Sequence, residues 1–348
     1  MTPPSVLASG YGADACGLIC GYAFPGDCTA AAREIGSDEA AARLAGAAGE
    51  GQAGRVDGGG YIWLHFNLAH AQSVKWLERH AGLPDDFFEA LGESQPSTRI
   101  ERGDEALVAV LNDIHFDFGF ESDDISTLWI CAGPRLIVTA RAKPLRSVDS
   151  LRQAVRQGDA PASSTALLEH LLRAQADVLV KVVRGVTVKV DAIEDELLQA
   201  RLDQRRARLG RLRRLLVRLQ RLLAPEPAAL FRLLQQPPRW MGRDDVVGLQ
   251  GASEEFSLVL RDMQGLQERI KLLQEEVAAH VNEDNNRSLF VLTVVTVLAL
   301  PINIMAGLFG MNVGGIPLAA DAHGFWIVVA AIATFTAVAA WLALRRKR

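Results

Sequence analysis

The sequence predicts an α/β domain followed by a long helical stalk and two C-terminal transmembrane helices. Three observations predict it. Strand-like runs alternate with helical stretches over residues 1–160. A breaker-free heptad seam lies in the later stalk, residues 161–288. Two uncharged runs of 20 residues or more close the chain. With 348 residues, 49 % of them hydrophobic, there is ample material for a buried core.

In the front domain, YIWLHFNL (61–68), ALVAVLNDIHFD (106–117) and STLWICAGPRLIVTARA (126–142) read as strands. The last is a hairpin turning at Gly133–Pro134. SVKWLERHAGLPDDFFEALG (73–92) reads as helix. His65, His70, His80, His115 and His170 are scattered and read as structural. No Walker A loop, G-x-S-x-G or H-E-x-x-H appears, so no enzyme is expected. Cys16, Cys20 and Cys28 are spaced C-x3-C-x7-C, which is not a zinc-ribbon spacing, and Cys131 stands apart. Such dispersed thiols read as reduced and cytoplasmic. The start, MTPPSVLASG, lacks a basic segment leading into an apolar run, so no signal peptide is expected.

The helical region opens with a continuous helix over 161–223, ended by Pro225 and Pro227. A short helix follows and closes at Pro237–Pro238. Residues 201–221 hold nine arginines among leucines. They read as the charged outer face of an amphipathic helix rather than a nucleic-acid or lipid surface. The acids of DAIEDEL (191–197) offer them partners in a neighbouring subunit. Phe256, Val259, Met263, Leu266, Ile270, Leu273 and Val277 then repeat at steps of 3 and 4. Without a breaker between Ser253 and Pro301, one helix is expected from about 254 to 309.

The apolar runs are Leu289–Phe309 and Phe325–Leu344, 21 and 20 residues without a charge. At about 1.5 Å per residue each crosses a ~30 Å hydrocarbon core. Arg287 precedes the first, Arg345, Arg346, Lys347 and Arg348 follow the second, and the loop 310–324 has no Lys or Arg. Positive flanks stay inside, so both termini are expected in the cytoplasm of a bacterial-type inner membrane. Residues 1–150 carry 21 acids and 11 bases, residues 151–348 carry 20 and 26, a split that suits two surroundings.

The first span has one polar face. Asn286, Leu289, Thr293, Thr296, Leu300, Asn303, Gly307 and Gly310 fall on steps of 3 and 4, within an arc of roughly 120°. Every Asn and Thr of the span lies there. Such a stripe is either interhelical glue or the lining of a water-filled path, and its full-depth run favours the path. Leu289 and Leu300 are candidate constrictions, and Pro301 frees the carbonyl of Val297. The stripe holds no Asp, Glu, His or Cys, so an ion is expected to cross hydrated. Counting back by sevens from Asn303 through Thr296 and Leu289 reaches Asn282, Glu275 and Glu268. These form either an acidic cytoplasmic mouth that concentrates cations or an ordinary solvated stalk face. Two spans cannot enclose a path alone, so if ions cross, a homo-oligomer in a lipid bilayer is required.

Gly310-Met311-Asn312 follows the first span. Here the chain resembles the CorA family, whose hallmark is this tripeptide at the outer end of the pore helix. The resemblance covers the whole layout. It implies a funnel-shaped homopentamer with no permanent cofactor, whose five loops form a selectivity ring. Asn312 would touch the hydration shell of an arriving Zn2+, Mg2+, Co2+, Ni2+ or Cd2+, Gly310 would permit close packing, and Met311 would pack. Val313-Gly314-Gly315-Ile316-Pro317 looks like the zinc-transporting ZntB branch, which implies uptake coupled to protons. The alternatives are a passive Mg2+/Co2+ channel and a non-conducting membrane scaffold or sensor. Glu226–Pro227 departs from the family, which tends to have Gln-Arg there.

Overall fold

The computed structural model describes residues 12–26, 31–49, 60–94, 96–119, 125–195, 202–311 and 323–345. The chain divides into two units, Met1–Leu272 and Leu273–Arg348.

The first unit is built on a seven-stranded sheet. Its elements are β1 (Leu18–Phe24), β2 (Arg33–Glu34), α1 (Ser37–Gly49), β3 (Tyr61–Asn67), α2 (Ser73–His80), α3 (Asp85–Gly92), β4 (Arg99–Arg102), β5 (Leu107–Ile114), β6 (Ile125–Ala132) and β7 (Leu136–Arg141). The strand order is β2-β1-β3-β7-β6-β5-β4. β3 and β7 pair in parallel, Ile62 opposite Leu136 through Asn67 opposite Arg141, and the other pairs are antiparallel. Then come α4 (Arg146–Arg156), α5 (Ser164–Asp195), α6 (Leu202–Leu223), α7 (Pro225–Gln235) and α8 (Arg243–Phe309). In the second unit α9 (Gly324–Arg345) follows the end of α8.

Every residue of β1, β3 and β5 is buried, as expected for strands covered on both faces. Ile62, Leu64 and Phe66 of β3 pack with Ala40, Trp76, Leu77, Phe87 and Ala90 of α1, α2 and α3. Tyr61 and Trp63, on the opposite face by the period of two, pack with Val148, Leu171, Leu230 and Leu249 of α4, α5, α7 and α8. The sheet is therefore the middle of three layers, and its second face is sealed by the same helices that lead to α8.

The three predicted strand runs and the hairpin are present. Two predicted helices differ, those over 73–92 and 254–309. Residues 73–92 form two helices, because Gly82 takes φ +55° and Pro84 is extended. The stretch 161–223 is described as α5 and α6, with 196–201 outside the described residues. α8 begins at Arg243 rather than near 254. Gly248 and Gly251 weaken the helical signal there; a Cβ at Gly248 would lie 2.0 Å from Oε2 of Glu169 on α5, the movable end of that side chain. β1 gave no alternation to read, being buried on both faces. Its Gly21 admits the Ile35 carbonyl to 2.7 Å of where a Cβ would stand. Sequence reading also missed β2, β4, α1 and α4.

His65 is a structural histidine. Arg141 Nε donates to His65 Nε2 at 2.9 Å, so Nδ1 carries the hydrogen and donates to Thr139 Oγ1 at 2.8 Å. Burial first, then the nearby Arg141 and Arg152, hold its pKa well below the ordinary value. Burial also pushes the Cys20 and Cys131 thiols up to about 12. Cys28 lies outside the described residues.

Candidate ion pathway on the long helix

α8 is 67 residues long, about 100 Å at the helical rise. Its first half is amphipathic. Phe256, Val259, Met263, Leu266, Ile270, Leu273 and Val277 are all buried, so the predicted seam is the packed face of this stretch. Gln267 Nε2 donates to Gln220 Oε1 of α6 at 2.8 Å. Arg269 forks to Asp191 at 2.7 Å and Glu194 at 2.5 Å on α5. Asp191 and Glu194 of the DAIEDEL segment thus each have a partner within the chain.

The second half changes character. Leu289, Val291, Leu292, Val295, Val297, Leu300, Ile304 and Leu308 are exposed. α8 is long and apolar enough to cross a membrane. Burying such a surface requires lipid or further protein. The described apolar part of α9, Gly324–Ala339, is shorter.

Asn286, Leu289, Thr293, Thr296, Leu300, Asn303 and Gly307 are all exposed on α8 and share one face by the helical period. The hydroxyls on this face have a defined polarity. Thr293 Oγ1 donates to the Leu289 carbonyl and Thr296 Oγ1 to the Leu292 carbonyl, each at 2.8 Å. With the hydrogen engaged, each oxygen offers only lone pairs to the outside. Pro301 sits within the helix, leaving the Val297 carbonyl without its usual donor. Towards the N-terminal side Glu268, Glu275 and Asn282 are exposed, and Lys271 Nζ lies 3.7 Å from Glu268. That pair dilutes the charge expected of an acidic mouth at this position. Gly310 donates its N–H to the Ala306 carbonyl at 2.9 Å, and Met311 is half-exposed. Asn312 and residues 313–317 lie outside the described residues, as do Arg346, Lys347 and Arg348. Among the described residues no three His, Cys, Asp or Glu side chains gather into a metal-holding group.

A three-layer α/β unit joined to one long helix with an exposed apolar half defines the CorA class of ion transporter. The chain belongs to that family: the sequence model described as CorA-like Mg2+ transporter protein matches residues 58–346. Membership places it among divalent-cation transporters of the membrane.

Relatives fall in the same class. The divalent cation transporter CmaX of Pseudomonas aeruginosa is 29 % identical over 293 residues, covering 82 % of this chain and 87 % of the relative. The zinc transport protein ZntB of Yersinia pseudotuberculosis is 27 % identical over 285 residues, with the same coverage of 82 % and 87 %. The solved structure of full-length CmaX superposes with a TM-score of 0.76 at 28 % identity, covering 96 % of this chain and 98 % of that one.

Proposed function

We propose that the chain is one subunit of a homopentameric divalent-cation transporter whose central path is lined by the polar face of α8. In this reading 289–309 and 325–344 are the spans, 310–324 is the outer loop, and 1–288 and 345–348 lie in the cytoplasm. The observation that carries it is the acceptor-only pair Thr293 and Thr296 on an otherwise apolar, exposed helix. Waters around a cation turn their hydrogens outward, so they are met by oxygens that accept and do not donate. Side-chain carbonyls of Asn286, Asn303 and, at the outer ring, Asn312 extend the same lining. Without a carboxylate, imidazole or thiolate on this face, the ion keeps its water shell.

Zn2+ is the proposed cargo, imported with a proton gradient, supported by the Asn-x-Gly-Gly-Ile-Pro segment after the span and by the similarity to ZntB. A passive Mg2+/Co2+ channel is the second reading, favoured by the description of the family model that matches. Flux into proteoliposomes separates them, with Zn2+ and Mg2+ compared, with and without a pH gradient, for wild type and Asn312→Ala. Zn2+ entry that rises with the gradient and drops on substitution supports the first reading. Gradient-independent flux favouring Mg2+ supports the second, and absence of any flux overturns both.

A further inference from the structure

A buried polar joint ties the sheet to the helices, and conduction along α8 does not call on it. Glu226, near the start of α7, is 2 % exposed. Gln175 of α5 donates from Nε2 to Glu226 Oε2 at 3.1 Å and to the Asn112 carbonyl of β5 at 2.6 Å. Asn112 Nδ2 donates to Thr98 Oγ1 at 2.7 Å and to the Leu222 carbonyl of α6 at 3.4 Å. One run of hydrogen bonds therefore joins β5, α5, α6 and α7. Glu226 Oε1 is buried without a hydrogen-bond partner among the described residues. The residue also lines a partly open cleft with Leu172 of α5, Pro227 and Leu230 of α7, and Ala252, Ser253 and Phe256 of α8.

The ionisable group that acts on Glu226 is Asp113 of β5, itself 1 % exposed. α5 presents Gln175 and Leu172, α8 presents Ala252, Ser253 and Phe256, and none of these carries a charge. The two acids are treated differently by their surroundings. Asp113 accepts from the Ile114 N–H at 2.7 Å, the Ser147 N–H at 3.2 Å and the Ser147 hydroxyl, an arrangement that suits an anion. Glu226 accepts one bond from a neutral amide. A buried carboxyl with one acceptor bond, a nearby anion and no facing cation among the described residues is most stable carrying a proton. Burial, then the charge of Asp113, push Glu226 up to about 8, whereas Asp113 rises only to about 6.

We propose that Glu226 is a proton-binding switch: protonated, it is a neutral tie between the sheet and the helices; ionised, it is a buried charge that loosens the joint and, through it, changes transport. Because the folded state holds the proton more tightly than the unfolded chain, the stabilisation is present at low pH. It is lost as pH rises from the ordinary carboxylate range through the folded value. The joint follows from geometry alone; only its effect on flux rests on the transport reading.

The test uses the full-length protein in detergent, melted at pH values from about 6 to about 9. Glu226→Gln keeps the shape of the neutral form and cannot ionise. The expected result is a melting temperature of Glu226→Gln that rises relative to wild type with increasing pH. A Glu226→Gln protein that tracks wild type across this range overturns the switch. In proteoliposomes at equal pH on both sides, wild-type flux varies over the same range and the variant's flux varies at least severalfold less. Flux that retains its full pH dependence in Glu226→Gln overturns the link to transport, while the melting result stands independently.

Discussion

A threonine in an apolar helix has one hydrogen to give, and where that hydrogen goes decides what the oxygen can recognise. Thr293 and Thr296 give theirs to the Leu289 and Leu292 carbonyls. Thr296→Val keeps the shape and removes the acceptor. Losing one such bond is worth about 0.5–1.5 kcal/mol, so cation flux in proteoliposomes is expected to fall roughly 2- to 10-fold without a change in melting temperature. His65 gives a pH-dependent expectation of opposite sign to Glu226. Its folded pKa is depressed, so its stabilisation is present above the ordinary histidine value and lost as pH falls below it. The destabilisation caused by His65→Gln is therefore expected to shrink between about pH 7 and about pH 5, read by thermal melting. The thiols give a third. Cys20 and Cys131, buried and raised to about 12, should resist maleimide labelling at neutral pH until the protein is unfolded, as mass spectrometry of the labelled peptides would show. At this scale the polar face of α8 was legible, because an Asn or Thr among Val and Leu declares its position by spacing alone. Glu226 was visible only as a departure from the family pattern. Its burial depends on α5, α7 and β5 meeting, which no local pattern encodes.

Among elements, α8 carries two different jobs in one uninterrupted helix. Its packed face was readable from the heptad, since every seam residue is apolar and every one is buried. Ile270→Ala is expected to cost about 2–5 kcal/mol in denaturant unfolding, because Ile270 is fully buried. Leu272→Ala, two positions on at a 62 % exposed side chain, should cost much less in the isolated subunit. The Arg269 fork to Asp191 and Glu194 is partly exposed, so Arg269→Met should change stability by about 1 kcal/mol or less. The start of α8 was not readable, because Gly248 and Gly251 look like breakers yet lie inside the helix. The strands divide in the same way. β3, β5, β6 and β7 announced themselves by composition and by the Gly133–Pro134 turn. β1 hid behind uniform burial and a glycine required by a backbone approach, and β2 and β4 are too short to carry a period.

For the whole molecule, the class was legible because membrane crossing imposes long uncharged runs that few other constraints produce. The sandwich of helices around the sheet was not, since it depends on pairing β3 with β7 across most of the front domain. If the chain assembles as proposed, native mass spectrometry in detergent should give a pentamer, and a monomeric species would remove the enclosed path. How copies meet is constrained by the margins of the sheet. Its outermost strands are its two shortest, β2 of two residues and β4 of four, and they carry Arg33, Glu34, Arg99, Glu101 and Arg102. A long bare margin invites strand-by-strand addition from a neighbour, the route to amyloid-like aggregation. Here a neighbour finds few backbone groups to pair with and several charges to desolvate. If the chain assembles as proposed, its copies can share one patch of membrane without their sheets fusing, with helical surfaces left for contact between subunits.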